Sequence, residues 1–307
     1  MTQLIGIKKI NTKNEVLIII LSHNRLDTIL GSILSVSNAA KGLADVMISD
    51  NSTDKNTPAQ IRNQFRDIPL VIQHQADGPI AHLNSAIDIA LSSSYKYLTI
   101  FHDDDLMHKN FVSKSLEAFH SNKQLVATAC NADIEMDGVS KRKSYKNSEL
   151  FKQLAHVKFL KFYLSLSGHG LAPFPGYMYK ISALGENKFD ILKGGRHADV
   201  SFLNELLKKG DINWRNDVGM VYRVHSGGSG ATELIRDRKS QINYAKPFFL
   251  SNTTSDNLFK AYRSYYIIRR KRLSGHSLIN LIINRRYRKL SFYYFLNVIK
   301  TRVFKIK

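Results

Sequence analysis

VLIIIL, residues 16–21, is an uninterrupted run of six aliphatic side chains that follows a polar N-terminal segment. A run of this length without polar residues is typical of a strand that is buried on both faces of a parallel sheet. Further strands are predicted at 45–49, 70–74 and 97–101, and helices between them at 28–40, 58–66 and 80–91. Because strands and helices alternate at this spacing, the sequence predicts βαβ units and a doubly wound α/β sheet.

The second half of the chain has a less regular pattern. Strands are predicted at 125–132, 177–181 and 218–224, and helices at 151–166 and 199–209. The polar segment 137–149 (DGVSKRKSYKNSE) predicts a loop without regular structure.

Composition excludes several classes of protein. The chain has 307 residues, of which 43% are hydrophobic, with 16 Phe and 14 Tyr, so it can build a core and is not intrinsically disordered. The single cysteine, Cys130, excludes a disulfide scaffold and fits a reducing compartment. No stretch approaches the ~20 apolar residues of a membrane-spanning helix, and residues 1–14 lack the apolar core of a secretory signal. We therefore expect a cytoplasmic location.

The net charge of +20 is unevenly distributed along the chain. Residues 236–307 contain 18 of the 45 Lys and Arg but two of the 25 acidic residues, whereas residues 1–235 are nearly neutral. We predict two parts, a folded body over 1–235 and a basic, aromatic-rich helical region over 236–307. A basic region of this kind predicts an anionic partner, which is a nucleic acid, a phospholipid surface or a phosphorylated substrate.

Polar clusters follow three of the predicted strands, at residues 22–25, 50–54 and 102–105. In doubly wound sheets, ligands bind outside the carboxyl ends of the strands. We therefore expect the three clusters to converge on one crevice, although they are far apart in the sequence.

The third cluster contains Asp103, Asp104 and Asp105 in succession. Like charges this close repel one another and raise each other's pKa, and a divalent cation removes that repulsion. Oxygen ligands suit Mg²⁺ or Mn²⁺, and Mg²⁺ is commonly held by one or two carboxylates together with substrate phosphates. The alternative interpretation is a solvated acidic turn that caps the next helix.

Five other residues each have a functional and a structural interpretation. Asp50 either contacts a nucleotide base or ribose, or forms an Asx turn. By spacing alone, Asp199 is the N-cap of a helix. His225 is either a further metal ligand or phosphate contact, or a surface histidine. Arg25 and Arg223 either pair a diphosphate through their forked donors, or are surface charges.

Taken in order, these segments resemble the inverting family 2 glycosyltransferases. The resembling segments are VLIIILSHNR (16–25), ISDNSTDKNT (48–57), the stretch 78–84, FHDDDLM (101–107), HADVSF (197–202) and YRVHSGGSG (222–230). Three positions depart from the residues usual in that family, namely Leu83, His102 and Ala198. The departure at His102 leaves Asp103, Asp104 and Asp105 as alternatives for the main metal ligand.

The resemblance implies a GT-A fold, with a mixed, mostly parallel sheet flanked by helices. It implies a UDP-sugar donor at the carboxyl edge of the sheet, and Mn²⁺ or Mg²⁺ held by Asp103, Asp104 and Asp105 with His225. Asp199 would be the general base, so that one displacement inverts the anomeric centre. The residues implied to bind the nucleotide-sugar are Ser22, Asn24, Arg25, Asp50, Ser52, Asn84, Asp103, Asp104 and Arg223.

In such an enzyme the basic region 236–307 has an evident partner. Its clusters 269–272 and 285–289 bracket an apolar stretch, which suits a helix lying on anionic lipid. We expect peripheral docking on the inner face of the cell membrane, with a surface glycan or polyprenyl-diphosphate-linked acceptor. The alternative interpretation of the region is a solvated basic helical subdomain, some of whose apolar residues pack on the body.

Three other functions are compatible with parts of the sequence. A polyprenyl-phosphate sugar transferase would use the same fold and site. A nucleic-acid-binding protein would explain the basic region, but not the carboxylates at 103–105, which repel phosphate without a metal. An inactive binding module on this fold is disfavoured because Asp50, the 103–105 carboxylates and Asp199 are all present.

Overall fold

The aliphatic run at 16–21 forms the central strand of the sheet, as predicted. The computed structural model describes residues 13–72, 78–163, 171–225 and 235–250, and the separate positions 277, 280, 283, 284 and 288. The strands are β1 (Val16–Ser22), β2 (Ala44–Asp50), β3 (Leu70–Ile72), β4 (Tyr97–His102), β5 (Leu106–Met107), β6 (Leu125–Met136), β7 (Val139–Lys143), β8 (Glu149–Phe151), β9 (Tyr177–Lys180) and β10 (Asp211–Val224). The α-helices are α1 (Leu26–Ala40), α2 (Asn56–Gln64), α3 (Pro79–Leu91), α4 (Phe111–Ser121), α5 (His156–Tyr163), α6 (Ile181–Leu184), α7 (Ala198–Leu206) and α8 (Ile235–Leu250).

The strands form one mixed sheet in the order β3-β2-β1-β4-β9-β6-β10-β5, with β7 on β6 and β8 on β10. The pairs β3–β2, β2–β1, β1–β4 and β6–β10 are parallel. β9 lies antiparallel between β4 and β6. The sheet is therefore mixed, and its first half is the doubly wound parallel arrangement that the sequence predicts.

Helices cover both faces of the sheet, and β1 shows why its sequence has no polar positions. Leu17, Ile19 and Leu21 face the core that contains α3, α5 and α7. Val16, Ile18 and Ile20 face the opposite core, which contains α1 and α4. Successive side chains of a strand point to opposite faces, so a strand covered on both sides needs apolar residues throughout. Each such side chain contributes roughly 1.5–3 kcal/mol on burial.

The prediction of a loop over 137–149 is wrong. β6 continues to Met136, and the chain reverses at Asp137 and Gly138, whose φ angles are 50° and 80°. Asp-Gly with positive φ at both residues is a favoured hairpin turn, so β7 returns along β6. β8 follows, pairing with β10.

Other boundaries also differ from the predictions. The helix predicted from residue 151 begins at His156, because Phe151 belongs to β8. β10 begins at Asp211 instead of residue 218, and register shifts between Trp214 and Val218 interrupt its alternating pattern. Helix α4 was not among the predicted elements.

Helix α8 opens the basic region and packs into the body. Its Ala245 and Phe249 are fully buried in the core that also contains α5 and α7. Apart from the five separate positions, residues 251–307 lie outside the described residues, and with them the predicted membrane-docking segment. In the part of the chain that the structure describes, none of the helices combines the length and the apolar character needed to cross a bilayer. The division at residue 235 stays a prediction.

Candidate active site

The three predicted polar clusters lie side by side at the carboxyl ends of β1, β2 and β4. In the sheet register Ser22 is the partner of Asp50, and Leu21 is the partner of His102. The parallel pairing of these strands therefore brings segments far apart in sequence to one edge.

The loops after β1 and β2 are joined through Asn24. Its backbone N–H donates to Ser52 Oγ at 2.8 Å, and its side-chain oxygen accepts from the N–H of Thr53 at 2.8 Å. Asn24 has a φ of 53°, a conformation that asparagine tolerates better than most residues. The predicted nucleotide-sugar residues Asn24 and Ser52 thus lie together, although both are occupied with each other's loop.

Three other predicted donor-binding residues are buried or occupied. Asp50 is fully buried and accepts from the backbone N–H of Ser52 at 3.3 Å, which is the Asx-turn arrangement, and from Ser52 Oγ at 2.8 Å. Ser22 is fully buried, and its Oγ has no hydrogen-bond partner within the described residues. The Asn84 amide donates to and accepts from the backbone of Phe189 at 2.9 and 2.8 Å. Their contacts with a donor stay predictions.

The acidic cluster does not cap a helix. It leads into the short strand β5, and the N-cap of the following helix α4 is Asn110. Two of its members bind the β1 loop: Asp103 accepts from the N–H of His23 at 2.9 Å, and Arg25 Nη1 lies 2.9 Å from Asp103 and 2.5 Å from Asp104. The interpretation of these residues as a solvated capping turn is therefore wrong.

Asp105 differs from its neighbours because one of its oxygens makes no hydrogen bond to any described residue, and we call this atom the open oxygen. The residue is 1% exposed, and its Oδ1 accepts from the backbone N–H of Arg223 at 2.8 Å. Its Oδ2 is buried and makes no hydrogen bond to any described residue, while His102 Nδ1 lies 3.9 Å away. Potential ligand atoms of His102, Asp104 and Asp105 all lie within 4.8 Å of one another.

The end of β10 completes this side of the cluster. His225 Nε2 lies 3.9 Å from Asp104 Oδ2, so the structure brings this predicted ligand to the cluster. The Arg223 side chain instead pairs with Glu135 at 3.2 Å, and only its backbone touches Asp105. Its contact with a diphosphate stays a prediction.

Burial and crowding shift the pKa values in the cluster. Burial, and then the charge of Asp104, raise the pKa of Asp105 well above its usual range. Burial raises the pKa of Asp103 to about 6, although the N–H of His23 and the charge of Arg25 oppose the shift. Burial also lowers the pKa of His102, which favours the neutral imidazole. The ionised forms of Asp103 and Asp105 are therefore disfavoured, and a bound cation would stabilise them.

This donor set fits a divalent cation. Carboxylate oxygens and a neutral imidazole are ligands of Mn²⁺. Asp105 Oδ2 is buried without a hydrogen bond to any described residue, and a bound cation would offset the cost of burying its charge. Asp103 is the least available of the three aspartates because both of its oxygens already accept hydrogen bonds. Sequence reasoning missed His102 as a ligand, and its place directly before the three aspartates was the available indication.

Asp199 is not the N-cap of α7, which is His197. Asp199 lies within the first turn of the helix and is half-buried. Burial raises its pKa to about 6, against the opposing effect of the Val200 N–H. The charge of Asp199 in turn contributes to the raised pKa values of Tyr177 and Tyr179, so the carboxylate lies close to these two tyrosines.

Tyr222 is a site residue that sequence reasoning did not select. Burial raises its pKa to about 12, with further contributions from the charges of Asp105, Asp104 and Asp199. The Tyr222 phenol thus lies within electrostatic range of both the acidic cluster and Asp199.

The fold is that of the GT-A glycosyltransferases. The chain belongs to glycosyl transferase family 2, which it matches over residues 17–175, about half of its length. The match ends before Asp199 and β10, so those residues are placed by the structure alone.

Solved structures share this fold at low sequence identity. TarS 1–349 from S. aureus, in complex with UDP-GlcNAc, matches with a TM-score of 0.59 and 14% identity over 94% of this chain and 80% of that chain. The mannosyltransferase PcManGT from Pyrobaculum calidifontis, in complex with GDP-Man and Mn²⁺, matches with a TM-score of 0.52 and 13% identity over 94% of this chain and 86% of that chain. No curated protein matches the sequence significantly.

Proposed function

We propose that this glycosyltransferase moves a hexose or N-acetylhexosamine from a UDP-sugar to a hydroxyl group of a lipid-linked or surface-glycan acceptor, with inversion and with a divalent metal. The observation that carries the proposal is the open, buried oxygen of Asp105 beside Asp104 and His102. Such a carboxylate is unfavourable without a cation, and a donor diphosphate would bring the anionic groups that such a cation binds.

The two similar structures support the choice of donor at the level of the fold. One holds UDP-GlcNAc and the other holds GDP-Man with Mn²⁺. We take UDP as the nucleotide because TarS has also been solved in complex with UDP alone.

The chain's own residues divide the work as follows. His102, Asp104 and Asp105 would hold the cation, with His225 adjacent to Asp104. When bound, the cation supplies positive charge that stabilises the diphosphate as it leaves. Arg25 supplies a second positive charge at the same edge.

Asp199 would act as the general base. Its carboxylate accepts the proton of the acceptor hydroxyl while that oxygen attacks the anomeric carbon and the bond from that carbon to the diphosphate oxygen breaks. Its pKa of about 6 suits this role, because the group is ionised at neutral pH and yet basic enough to accept a proton.

Donor recognition would fall to the joined loops after β1 and β2. Asn24 and Ser52 form the connection between them, and Ser22 and Asp50 lie at their base. We propose that the basic region then keeps the enzyme at the inner face of the membrane, where lipid-linked acceptors are found.

A turnover assay with the base variant tests the proposal. We expect wild-type enzyme with Mn²⁺ to release UDP from at least one member of a panel of UDP-GlcNAc, UDP-glucose and UDP-galactose, with water as the acceptor. Asp199→Asn should lower that rate by about 10²–10⁴-fold and leave UDP affinity unchanged. Asp67→Asn, an exposed aspartate outside the site, is the matched control. Equal turnover by Asp199→Asn and wild type would refute the assignment of the base.

A further inference from the structure

Helix α8 contacts the segment that leads into the helix of the proposed base. Asp237, in the first turn of α8, is 4% exposed, and its Oδ2 lies 3.6 Å from Arg196 Nε. That oxygen is buried and has no hydrogen bond within the described residues. Arg236 Nε lies 3.7 Å from the other oxygen, Oδ1. Burying a carboxylate with one unsatisfied oxygen costs free energy, so stability alone does not explain its position.

The glycines at 194 and 195 show how closely α8 approaches. Gly195 has a φ of +60°, and a Cβ at that position would lie 2.5 Å from Asp237 Oδ1 and 2.6 Å from Asp237 Cα. A Cβ on Gly194 would lie 2.6 Å from the carbonyl oxygen of His197. The tight turn before α7 is therefore compressed between α8 and the helix N-terminus, and it ends two residues before Asp199.

A second contact fixes α7 further along its length. The hydroxyl of Tyr244 donates to Glu205 Oε1 at 2.9 Å and accepts from the Asn204 amide at 3.0 Å. With Ala245 and Phe249 buried in the same core, α8 holds α7 at both ends. Rotation of α7 about its axis, which would move Asp199, is thereby restrained.

We infer that Asp237 is a positioning residue for Asp199: through Gly195 and Arg196 it fixes the turn that sets the direction of the base. The inference rests on the proposed function, since it assigns a role relative to the proposed base. It also gives the beginning of the basic region a part in the active site, well beyond the segment that matches the family.

The test compares two variants that disturb the same contact from opposite sides. Asp237→Asn removes the charge that attracts Arg196 and keeps the side-chain shape, while Gly195→Ala forces the turn away from α8. Both should lower kcat about tenfold to hundredfold for whichever UDP-sugar the wild type turns over. Neither should change the KM for that donor or the affinity for UDP with Mn²⁺ by more than about twofold, since the donor loops lie on other strands. Lys239→Ala, an exposed residue of α8, is the matched control.

A purely structural role predicts a different pattern. If both variants lose UDP binding together with kcat, or if both keep wild-type kcat, the inference is overturned. The carboxyl ¹³C resonance of Asp199 provides a readout that does not depend on turnover. Its pKa should fall by about one unit or more in both variants as water reaches the relaxed turn, and an unchanged titration would also overturn the inference.

The two readouts separate this inference from the proposed function. If wild type turns over none of the UDP-sugars while the Asp199 titration shifts as expected, the proposed function fails and the positioning contact stands. If Asp199→Asn is inactive while the Asp237 and Gly195 variants behave as wild type in both readouts, the positioning role alone fails.

Discussion

Two buried aspartates at opposite ends of β10 have opposite environments. Asp211, at the start of the strand, accepts from the Gln153 N–H at 2.9 Å and from Lys152 at 3.0 Å. Burial opposes its ionisation, but these donors outweigh burial and lower its pKa. Asp105, held by the N–H of Arg223 near the end of the strand, keeps one oxygen open, and its pKa is raised.

The contrast distinguishes a carboxylate that stabilises the fold, Asp211, from one that can bind a ligand, Asp105. At Asp211 both oxygens are satisfied by protein donors, so the charge stabilises the native state. At Asp105 the protein supplies one backbone donor and places the charge of Asp104 nearby, and no other described residue donates a hydrogen bond to the second oxygen. This difference is stronger evidence for a ligand site than acidity alone.

The largest expected effect is the loss of turnover when Asp105 is substituted. Asp105→Asn should lower UDP release by at least about 100-fold, because a catalytic metal contributes several kcal/mol and each 1.36 kcal/mol is a factor of ten. The unfolding free energy should stay level or rise, since the amide still accepts from Arg223 and no longer repels Asp104. Turnover assays and urea unfolding measure the two quantities, and a variant that is both active and destabilised would reverse our assignment.

Removing the other aspartate should give the converse result. Asp211→Ala leaves the Gln153 N–H and the Asn122 amide without their acceptor, so the unfolding free energy should fall by about 1–3 kcal/mol. Affinity for UDP with Mn²⁺ should not change, because the residue lies at the other end of β10. Urea unfolding and calorimetry check both statements, and weakened UDP binding at full stability would show that Asp211 belongs to the site.

The two carboxylates should also give opposite pH dependence of stability without metal. The folded-state pKa of Asp211 is lowered, so its contribution is present above the unfolded value of about 3.9 and is lost as pH falls through the folded pKa. The folded-state pKa of Asp105 is raised, so its ionisation weakens the fold as pH rises from about 3.9 through the folded pKa. At pH 7 Asp105→Asn should therefore be at least as stable as wild type and Asp211→Asn should be less stable. As pH is lowered, the Asp105 difference should disappear below the unfolded value of about 3.9, and the Asp211 difference should disappear as pH passes below the folded-state pKa of Asp211. Urea unfolding across that range checks the prediction, and parallel curves would contradict it.

The smallest expected effect concerns the arginine beside the cluster. Arg25 is 39% exposed at its side chain and pairs with Asp103 and Asp104, so it competes with a cation for the same charge. Arg25→Gln should raise the affinity for Mn²⁺ alone by at most about fivefold, the scale of a partly exposed ion pair. Electron paramagnetic resonance of free Mn²⁺ measures this affinity, and a weaker affinity in the variant would mean that Arg25 organises the cluster instead.

The sequence predicted the parts of this site that depend on local pattern. Six aliphatic residues in succession were enough to predict β1, and the polar residues after each strand were enough to predict their convergence. Sequence reasoning could not show that Asp105 has one bonded and one unbonded oxygen, because the donor to the bonded oxygen, the N–H of Arg223, lies 118 residues away in the chain. The hairpin of β7 was missed although Asp137-Gly138 is a favourable turn, because its polar strand resembles a loop.

The position of the base shows the same limit. An aspartate at the start of a helix is usually an N-cap, and only the structure shows that His197 takes that place and that Asp199 lies in the first turn. The contact between α8 and the turn before α7 joins two residues that are 42 positions apart, Gly195 and Asp237. No periodicity in the sequence indicates such a pairing.

The most direct test is a calorimetric titration of UDP into the wild-type chain with Mn²⁺ and with a chelator, repeated with Asp105→Ala and Asp211→Ala and with GDP and CDP as comparison nucleotides. We predict that UDP binds wild type and Asp211→Ala only when Mn²⁺ is present, and that Asp105→Ala binds no UDP under either condition. Equal UDP binding by Asp105→Ala and wild type, or binding that is indifferent to Mn²⁺, would contradict the assignment of the open carboxylate as the metal site.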